Sequence, residues 1–162
     1  MRVLRHLFPP SARRLFPAES LQRIADAIHQ GEQRHTGEVM FAVESDLPLL
    51  AVLRGVDARH RAHEAFARLR TWDTEANNGV LIYLLLADHR IEIVADRGLR
   101  ERVSEGQWRG VCQLMEEHLR AGEGEAAVIR GIVAVSDLLA AFYPQDGSLP
   151  DEDELPNQPH IF

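Results

Sequence analysis

Hydrophobic residues recur along the chain at two different spacings, which separate helical segments from extended ones. Leu21, Ile24 and Ile28 lie about one helical turn apart, as on the buried face of a helix. The run from Gly79 to Ala87 is apolar at every position and is typical of a strand that is covered on both faces. The predicted elements are a helix over residues 17–34, a strand over 38–44, a helix over 57–70, strands over 79–87 and 90–95, a helix from 104 onward and a helix over 125–142.

This order predicts an α/β fold with a small mixed sheet and helices on both of its faces, which is an α/β/α sandwich. The first two strands are joined through a helix and are expected to be parallel. The second and third are joined by the tight reversal Asp88-His89 and are expected to be antiparallel. We predict three parts, namely a basic N-terminal segment (1–16), the α/β/α domain (17–144) and an acidic C-terminal tail (145–162).

Composition narrows the classes of function. The 162 residues suffice for one domain with its own core. A single cysteine, Cys112, permits no disulfide within the chain, which favours a reducing compartment. The net charge of -7 argues against nucleic acid as a partner. No apolar run has the length of a signal-peptide core or a spanning helix, so we expect a cytoplasmic protein.

Charge is concentrated at the two ends of the chain. The first 16 residues carry Arg2, Arg5, Arg13 and Arg14 and no acid. Such a segment suits peripheral contact with a membrane surface, or it folds back onto the domain, which is the interpretation we favour. The side chains available for that contact are Leu4, Leu7, Phe8 and Phe16. The tail after Pro144 is acidic and unsuited to a core, although Ile161-Phe162 at its end can dock on the domain.

Oxygen-bearing side chains are concentrated around the second and third strands. The stretch from Trp72 to Gly79 leads into the second strand, and the third ends at Asp96-Arg97-Gly98. Because of the predicted strand directions, the starts of the first two strands and the end of the third meet at one edge. Carboxylate and amide oxygens suit Ca²⁺ or Mg²⁺. We therefore predict a divalent-cation site there with the ligands Asp73, Asn77, Asn78 and Asp96, assisted by Glu38 and Glu75.

The same edge is predicted to contact an anion or substrate through Arg97 and Gly98, because a helix is expected to begin there with free N–H groups. Trp72 is expected to pack under the loop and to report on binding. Simpler interpretations than a cation site stay open for these residues. Asn78-Gly79 can form a turn, Asp73 can cap a helix, and Asp96 can form an ion pair with Arg97. The opposite edge, where ligands of parallel sheets usually bind, competes as a site. It carries Glu44, Ser45, Asp46 and Asp88.

The chain resembles the TPM domain family in several short motifs and in the order in which they occur. The matching segments are His35-Thr36-Gly37-Glu38-Val39, Asn77-Asn78-Gly79-Val80-Leu81 and the run from Ile91 to Leu99. The resemblance covers about residues 16–144. The chain is especially similar to a short bacterial branch of that family. The motifs shared with the branch are Arg5-His6-Leu7-Phe8-Pro9, Trp72-Asp73-Thr74 and Glu154-Leu155-Pro156.

The resemblance implies an α/β/α sandwich with a divalent-metal site near Asn77, Asn78 and Asp96, whereas Asp73 matches only the short branch. One plant branch of the family is described as a thylakoid-lumen acid phosphatase, and other members are membrane-anchored or accessory subunits. Here Ala95-Asp96-Arg97-Gly98 replaces the family's glycine-rich segment after the third strand. We expect a cation-binding accessory or interaction module with an unidentified protein partner. The alternative is a metal-assisted phosphatase, for which no catalytic residue is assigned.

Overall fold

The computed structural model describes residues 1–147 and 154–162. Its helices are α1 (Arg2–Leu7), α2 (Ala12–Leu15), α3 (Ala18–Glu32), α4 (Leu49–Leu53), α5 (Ala58–Arg68), α6 (Glu105–Arg120) and α7 (Gly124–Phe142). Its strands are β1 (Glu38–Glu44), β2 (Gly79–Leu85), β3 (Arg90–Ala95) and β4 (His160–Ile161). A single 3-10 turn, Arg97–Leu99, follows β3 among these residues.

The strands form one mixed sheet in the order β3-β2-β1-β4. β1 and β2 are parallel, with Glu38 opposite Gly79, and β2 and β3 are antiparallel, with Val80 opposite Ala95. Both predicted strand directions are therefore confirmed. The short β4 was not predicted as a strand, but it pairs in parallel with β1, so the expected docking of Ile161 on the domain is confirmed.

The sheet lies between two hydrophobic layers. Val80 and Ile82 of β2 face the layer of α3, α6 and α7, whereas Leu81 and Tyr83 face the layer of α4 and α5. All seven residues of β2 are buried, which explains why this strand is apolar on both faces. The predicted α/β/α sandwich is confirmed. α5 and α6 begin at side-chain caps, because Asp57 and Ser104 accept hydrogen bonds from main-chain N–H groups of the first turn.

Three short helices were not predicted. α1, α2 and α4 contain 6, 4 and 5 residues, too few for a hydrophobic period to repeat. α1 is held by His6, whose Nδ1 accepts the N–H of Leu47 (2.9 Å) and whose Nε2 lies 3.0 Å from the carboxylate of Asp88. Arg2 bonds the same carboxylate at 2.8 Å. A buried imidazole thus fixes the N-terminal segment against the start of α4 and the β2–β3 turn.

The expected contacts of the N-terminal segment are only partly correct. Phe16 is buried and packs edge-on against Phe41, as expected. Leu4, Leu7 and Phe8 were expected to contact the domain, but all three are exposed. The error has a simple cause, because α1 turns His6 and Val3 inward and its other apolar side chains therefore lie on the outer face.

The C-terminal tail is described from Glu154 onward. Leu155 is buried, and the guanidinium groups of Arg61 and Arg68 lie over the ring of Phe162 at 5.5 and 5.3 Å. The predicted acidic residues Asp151, Glu152 and Asp153 lie outside the described residues. No helix in the described ranges combines the length and the hydropathy needed to cross a bilayer.

Candidate functional site

The strand ends that the sequence placed together do meet at one edge of the sheet. The Asp96 N–H donates to the Gly79 carbonyl oxygen (2.9 Å), and the Gly98 N–H donates to that of Asn77 (2.9 Å). The Glu38 N–H donates to the carbonyl oxygen of Asn78 at 3.4 Å. We call this region the loop edge, comprising residues 71–79, Glu38 and residues 96–98.

Asp96 is the loop-edge carboxylate whose surroundings most favour a ligand. Its Oδ1 accepts the N–H of Arg97 at 2.7 Å and so caps the 3-10 turn. Its Oδ2 is buried and has no hydrogen-bond partner among the described residues. A buried carboxylate oxygen is costly to leave unsatisfied, so a cation or a water is expected to contact it. The expected ion pair between Asp96 and Arg97 is instead this main-chain cap.

The two asparagines of the loop edge differ in their roles. Asn77 adopts a left-handed backbone conformation (φ 51°), which asparagine tolerates better than most residues. Asn78 is fully buried, and its amide nitrogen donates to the carbonyl oxygen of Thr36 at 3.3 Å. Its Oδ1 is buried and lacks a hydrogen-bond partner within residues 1–147 and 154–162. Asn78 therefore offers a second oxygen whose hydrogen-bonding capacity is unused there.

Asp73 and Trp72 lie at the surface, and Arg70 contacts both of them. The Arg70 guanidinium bonds the Asp73 carboxylate at 2.7 Å and lies 5.6 Å from the centre of the Trp72 ring. Trp72 was expected to pack under the loop, but its side chain is about half exposed (47%). Asp73 was expected to act as a cap or a ligand, and its carboxylate is occupied by this ion pair, which makes it the weakest of the four predicted ligands.

Two main-chain carbonyl oxygens approach Gly98 closely. A Cβ added there would lie 2.6 Å from the carbonyl oxygens of both Ala76 and Asn77. The N–H groups of Arg97 and Gly98, predicted to be free for an anion, are already used by Asp96 Oδ1 and the Asn77 carbonyl. The predicted anion contact is thus reduced to the exposed Arg97 side chain. Converging carbonyl oxygens beside a carboxylate favour a cation over an anion.

Glu154 also belongs to the loop edge, although the sequence placed it in the acidic tail. Its N–H donates to the Glu38 carboxylate (2.9 Å), and its own carboxylate accepts the N–H of Glu75 (2.9 Å). These bonds span 116 and 79 positions in sequence, so no local pattern indicates them. The available signal was the motif Glu154-Leu155-Pro156, which the chain shares with the short bacterial branch that it resembles.

The competing opposite edge is occupied by structural contacts. Glu44 binds the Arg61 guanidinium through both of its oxygens (2.9 Å each) and accepts the hydroxyl of Tyr83 at 2.6 Å. Ser45 accepts the N–H of Ala12 at 2.9 Å, and Asp88 is engaged by α1. The N-terminal segment therefore covers the edge where ligands of parallel sheets usually bind, which favours the loop edge as the site.

Cys112 has the properties of a structural thiol. It is buried in the layer of α6 and α7. Burial raises the pKa of its thiol to about 11, with the charges of Glu92 and Glu116 contributing. The nucleophilic thiolate is therefore disfavoured at neutral pH. Within the described residues, no group of three or more His, Cys, Asp or Glu side chains is arranged to hold a metal ion. A cation at the loop edge would therefore need amide and main-chain oxygens as well.

His35, at the entrance to β1, is a buried titratable group. Its Nδ1 lies 3.1 Å from the Gly37 carbonyl oxygen, which suits donation from a neutral ring. Burial lowers the pKa of His35 from 6.5 to about 4, with a smaller contribution from the charge of Arg34. The unfolded chain therefore binds a proton on this residue at a higher pH than the folded chain does.

We expect the free energy of unfolding to fall by roughly 3 kcal/mol as the pH decreases from 6.5 to about 4, because the unfolded chain then gains a proton on His35 that the folded chain does not bind. Above pH 6.5 this loss is absent, since His35 is neutral in both states. Urea unfolding at several pH values measures it, and His35→Gln should flatten the slope. The matched control is His29→Gln, which alters an exposed histidine of α3. Equal slopes for His35→Gln and the unmodified protein would show that His35 is not the titrating group.

The architecture and the loop edge define the class of protein. It is a small α/β/α sandwich in which polar loops meet at the amino ends of two parallel strands. The chain belongs to the TPM domain family, whose model matches residues 12–138.

Solved structures agree with this assignment. The chain is similar to the BA42 protein of the psychrophilic bacterium Bizionia argentinensis, with 27% identity and a TM-score of 0.80 over 94% of this chain and 99% of that one. It also shares its fold with the N-terminal domain of a protein from P. gingivalis, at 18% identity and a TM-score of 0.62 over 86% of this chain and 82% of that one. No curated protein is significantly similar to this chain.

Proposed function

We propose that this TPM domain binds a divalent cation, Ca²⁺ or Mg²⁺, at the loop edge and acts as an accessory or protein-interaction module. The observation that carries the proposal is the buried Oδ2 of Asp96, which has no hydrogen-bond partner among the described residues. The main-chain carbonyl oxygens of Ala76 and Asn77, which lie close to Gly98 two residues after Asp96, support it. A hard cation satisfies such oxygens better than water does, because it neutralises the carboxylate.

The predicted ligands contribute unequally to this proposal. Asp96 supplies the charge, and Asn77 and Asn78 supply neutral oxygens from the neighbouring strand entrance. Asp73 joins only if its carboxylate leaves Arg70, which costs little because that ion pair is exposed. A bound cation would fix the segment 72–78 relative to the 3-10 turn. The resulting rigid surface is the one that we propose for recognition of a protein partner.

The second candidate function is a metal-assisted phosphatase. The observation in its favour is the exposed Arg97 next to Asp96, since a guanidinium can hold a phosphoryl group. A bound cation would supply charge for the phosphoryl oxygens. We rank this function second because the main-chain N–H groups of Arg97 and Gly98 are used within the protein. The loop edge also presents no side chain in the position of an activated nucleophile among the described residues.

We expect Ca²⁺ or Mg²⁺ to raise the melting temperature, because a ligand of the folded state stabilises it by mass action. At a hundredfold excess over Kd the gain is about 2.7 kcal/mol, which corresponds to roughly 5–10 °C. Asp96→Asn should abolish the shift. Trp72 fluorescence should change in the same titration. The variant Trp72→Phe should lose this change, which distinguishes the signal of Trp72 from that of the buried Trp108.

The matched control is Asp137→Asn, which removes an exposed carboxylate on α7 that pairs with Arg34. It should leave the cation response intact. An unchanged melting temperature in millimolar Ca²⁺ and Mg²⁺ would refute the cation site, as would a shift that survives in Asp96→Asn. The phosphatase gains support only if hydrolysis of a phosphomonoester requires the cation and disappears in Asp96→Asn while the variant stays folded.

A further inference from the structure

Two short helices expose apolar side chains on one side of the molecule. On α1 these are spaced as on one helix face, and α4 repeats the arrangement next to it. We call this surface the two-helix patch; it consists of Leu4, Leu7, Phe8, Leu49, Leu50 and Leu53. Their exposed fractions run from 45% to 82%, the highest being that of Phe8. Burying these side chains against a partner would recover the hydrophobic free energy that their exposure costs.

The exposure is built into the fold and is not a frayed end. α1 packs against α4, and His6 bonds the Leu47 N–H at the start of α4 while its other ring nitrogen lies against Asp88. Arg2 adds bonds to Asp88 and to the carbonyl oxygen of Val56 (2.6 Å). The inward contacts of α1 are thus the polar bonds of His6 and Arg2 together with the packing of Val3, and Leu4, Leu7 and Phe8 are held outward. An ordinary amphipathic helix packs its apolar face against the domain. In α1 the buried position is instead taken by a histidine whose two ring nitrogens both have polar partners.

The surroundings of the two-helix patch are basic on a protein that is otherwise acidic. Exposed arginines lie on α1 and just after α4, and neither of them makes an ion pair within the described ranges. They are Arg5 and Arg54. The first 16 residues contain no acid, although the chain carries -7 overall. Of the nearby acids, Asp88 is neutralised by Arg2 and His6, and Asp57 caps α5, while Asp46 lies before α4.

We propose that the two-helix patch docks on an anionic membrane surface. Apolar side chains flanked by arginines match the chemistry of a bilayer interface, where acyl chains lie beneath a layer of phosphate groups. An anionic surface is attracted by the arginines next to the patch, whereas the acidic remainder of the protein repels it. The distribution of charge therefore favours contact with an anionic partner through the patch. The apolar side chains are exposed on two adjacent helices, which suits insertion into a bilayer interface. The association is peripheral, since it uses helices of only one to two turns.

The test is co-sedimentation of the full chain with vesicles of phosphatidylcholine, with and without phosphatidylglycerol. Binding should require phosphatidylglycerol and weaken as salt is added, because the arginine contribution is screened. Phe8→Ser combined with Leu50→Ser should lower the partition coefficient at least about tenfold. Arg5→Ser combined with Arg54→Ser should lower it about fivefold per arginine. All four side chains are exposed, so these variants are expected to fold.

Matched controls are Val133→Ser, an exposed apolar side chain on α7, and Arg100→Ser, an exposed arginine outside the patch. Both should bind vesicles as the unmodified protein does. The proposal is overturned if the full chain does not bind phosphatidylglycerol vesicles at low salt, or if the patch variants bind as well as the controls. It is also overturned if light scattering shows a dimer that Phe8→Ser with Leu50→Ser dissociates, because a second copy would then cover the patch.

Discussion

Replacing Gly79 with alanine is expected to lower the free energy of unfolding by about 3 kcal/mol or more. An alanine Cβ at this position would lie 2.0 Å from the carbonyl oxygen of Thr71 and 3.1 Å from its carbonyl carbon. A main-chain carbonyl cannot rotate away as a side chain can. β2 cannot shift either, because it is the strand next to both β1 and β3 and is buried along its whole length. The close approach of residue 71 to β2 therefore requires glycine.

The matched control for Gly79→Ala is Gly110→Ala in the middle of α6. A Cβ at residue 110 meets no atom within 4 Å, and alanine is the better helix former. We expect this variant to be as stable as the unmodified protein or more stable by up to about 1 kcal/mol. Urea unfolding of both variants measures the difference. Similar stabilities would show that the 71–79 loop yields easily, and the loop edge would then lack the rigidity assumed for cation binding.

The sequence predicted the sheet well because its strands carry a strong and simple signal. The apolar run from Gly79 to Ala87 identified a doubly covered strand, and the connections then determined the strand directions. The same reasoning missed α1, α2 and α4, whose lengths of 6, 4 and 5 residues are too short to show a period. It also predicted that the apolar side chains Leu4, Leu7 and Phe8 contact the domain, whereas they are exposed. The spacing of apolar residues shows that they share one face of a helix, but it does not show whether that face packs against the core.

The candidate site was predictable in its position and less so in its details. Topology brings Gly79 next to Asp96, and the predicted strand directions sufficed to expect that proximity. The neighbour that occupies Asp73 is Arg70, only three positions earlier, yet nothing in the sequence shows that this pair forms. Glu154 reaches the loop edge from across a large sequence separation, so only the assembled fold reveals it. Polar contacts between residues far apart in sequence are thus the part of the site that could not be predicted from a single sequence.

The two proposals place their sites at opposite ends of the parallel strands. The loop edge lies at the start of β1 and β2, whereas α1 is bonded to Asp88, in the turn after β2. A molecule resting on the two-helix patch would therefore direct the loop edge away from the bilayer. Cation binding and vesicle binding should then be independent, so that Asp96→Asn retains the second and Phe8→Ser with Leu50→Ser retains the first.

Replacing Arg61 with alanine is expected to destabilise the fold by about 3–5 kcal/mol. Arg61 satisfies both oxygens of Glu44, whose side chain is only 8% exposed. The same carboxylate accepts the hydroxyl of Tyr83, and burial together with Glu44 raises the pKa of Tyr83, so that this group remains a donor. The proximity of Glu44 likewise raises the pKa of Arg61. Removing the guanidinium therefore leaves a buried negative charge with one neutral hydrogen bond in the network described here.

The matched control for Arg61→Ala is Arg59→Ala on the same helix, since the Arg59 side chain is more exposed (44% against 18%) and bonds Glu92 at 3.4 Å and the Ile93 carbonyl oxygen at 2.7 Å. That change leaves no buried charge and should cost about 1 kcal/mol. Combining Arg61→Ala with Glu44→Gln should recover much of the lost stability, because the stranded charge is gone. Absence of recovery would instead assign the loss to Phe162, whose ring packs under the Arg61 guanidinium. Phe162→Ala would then reproduce the defect, and the principal role of Arg61 would be to hold the C-terminal strand on β1.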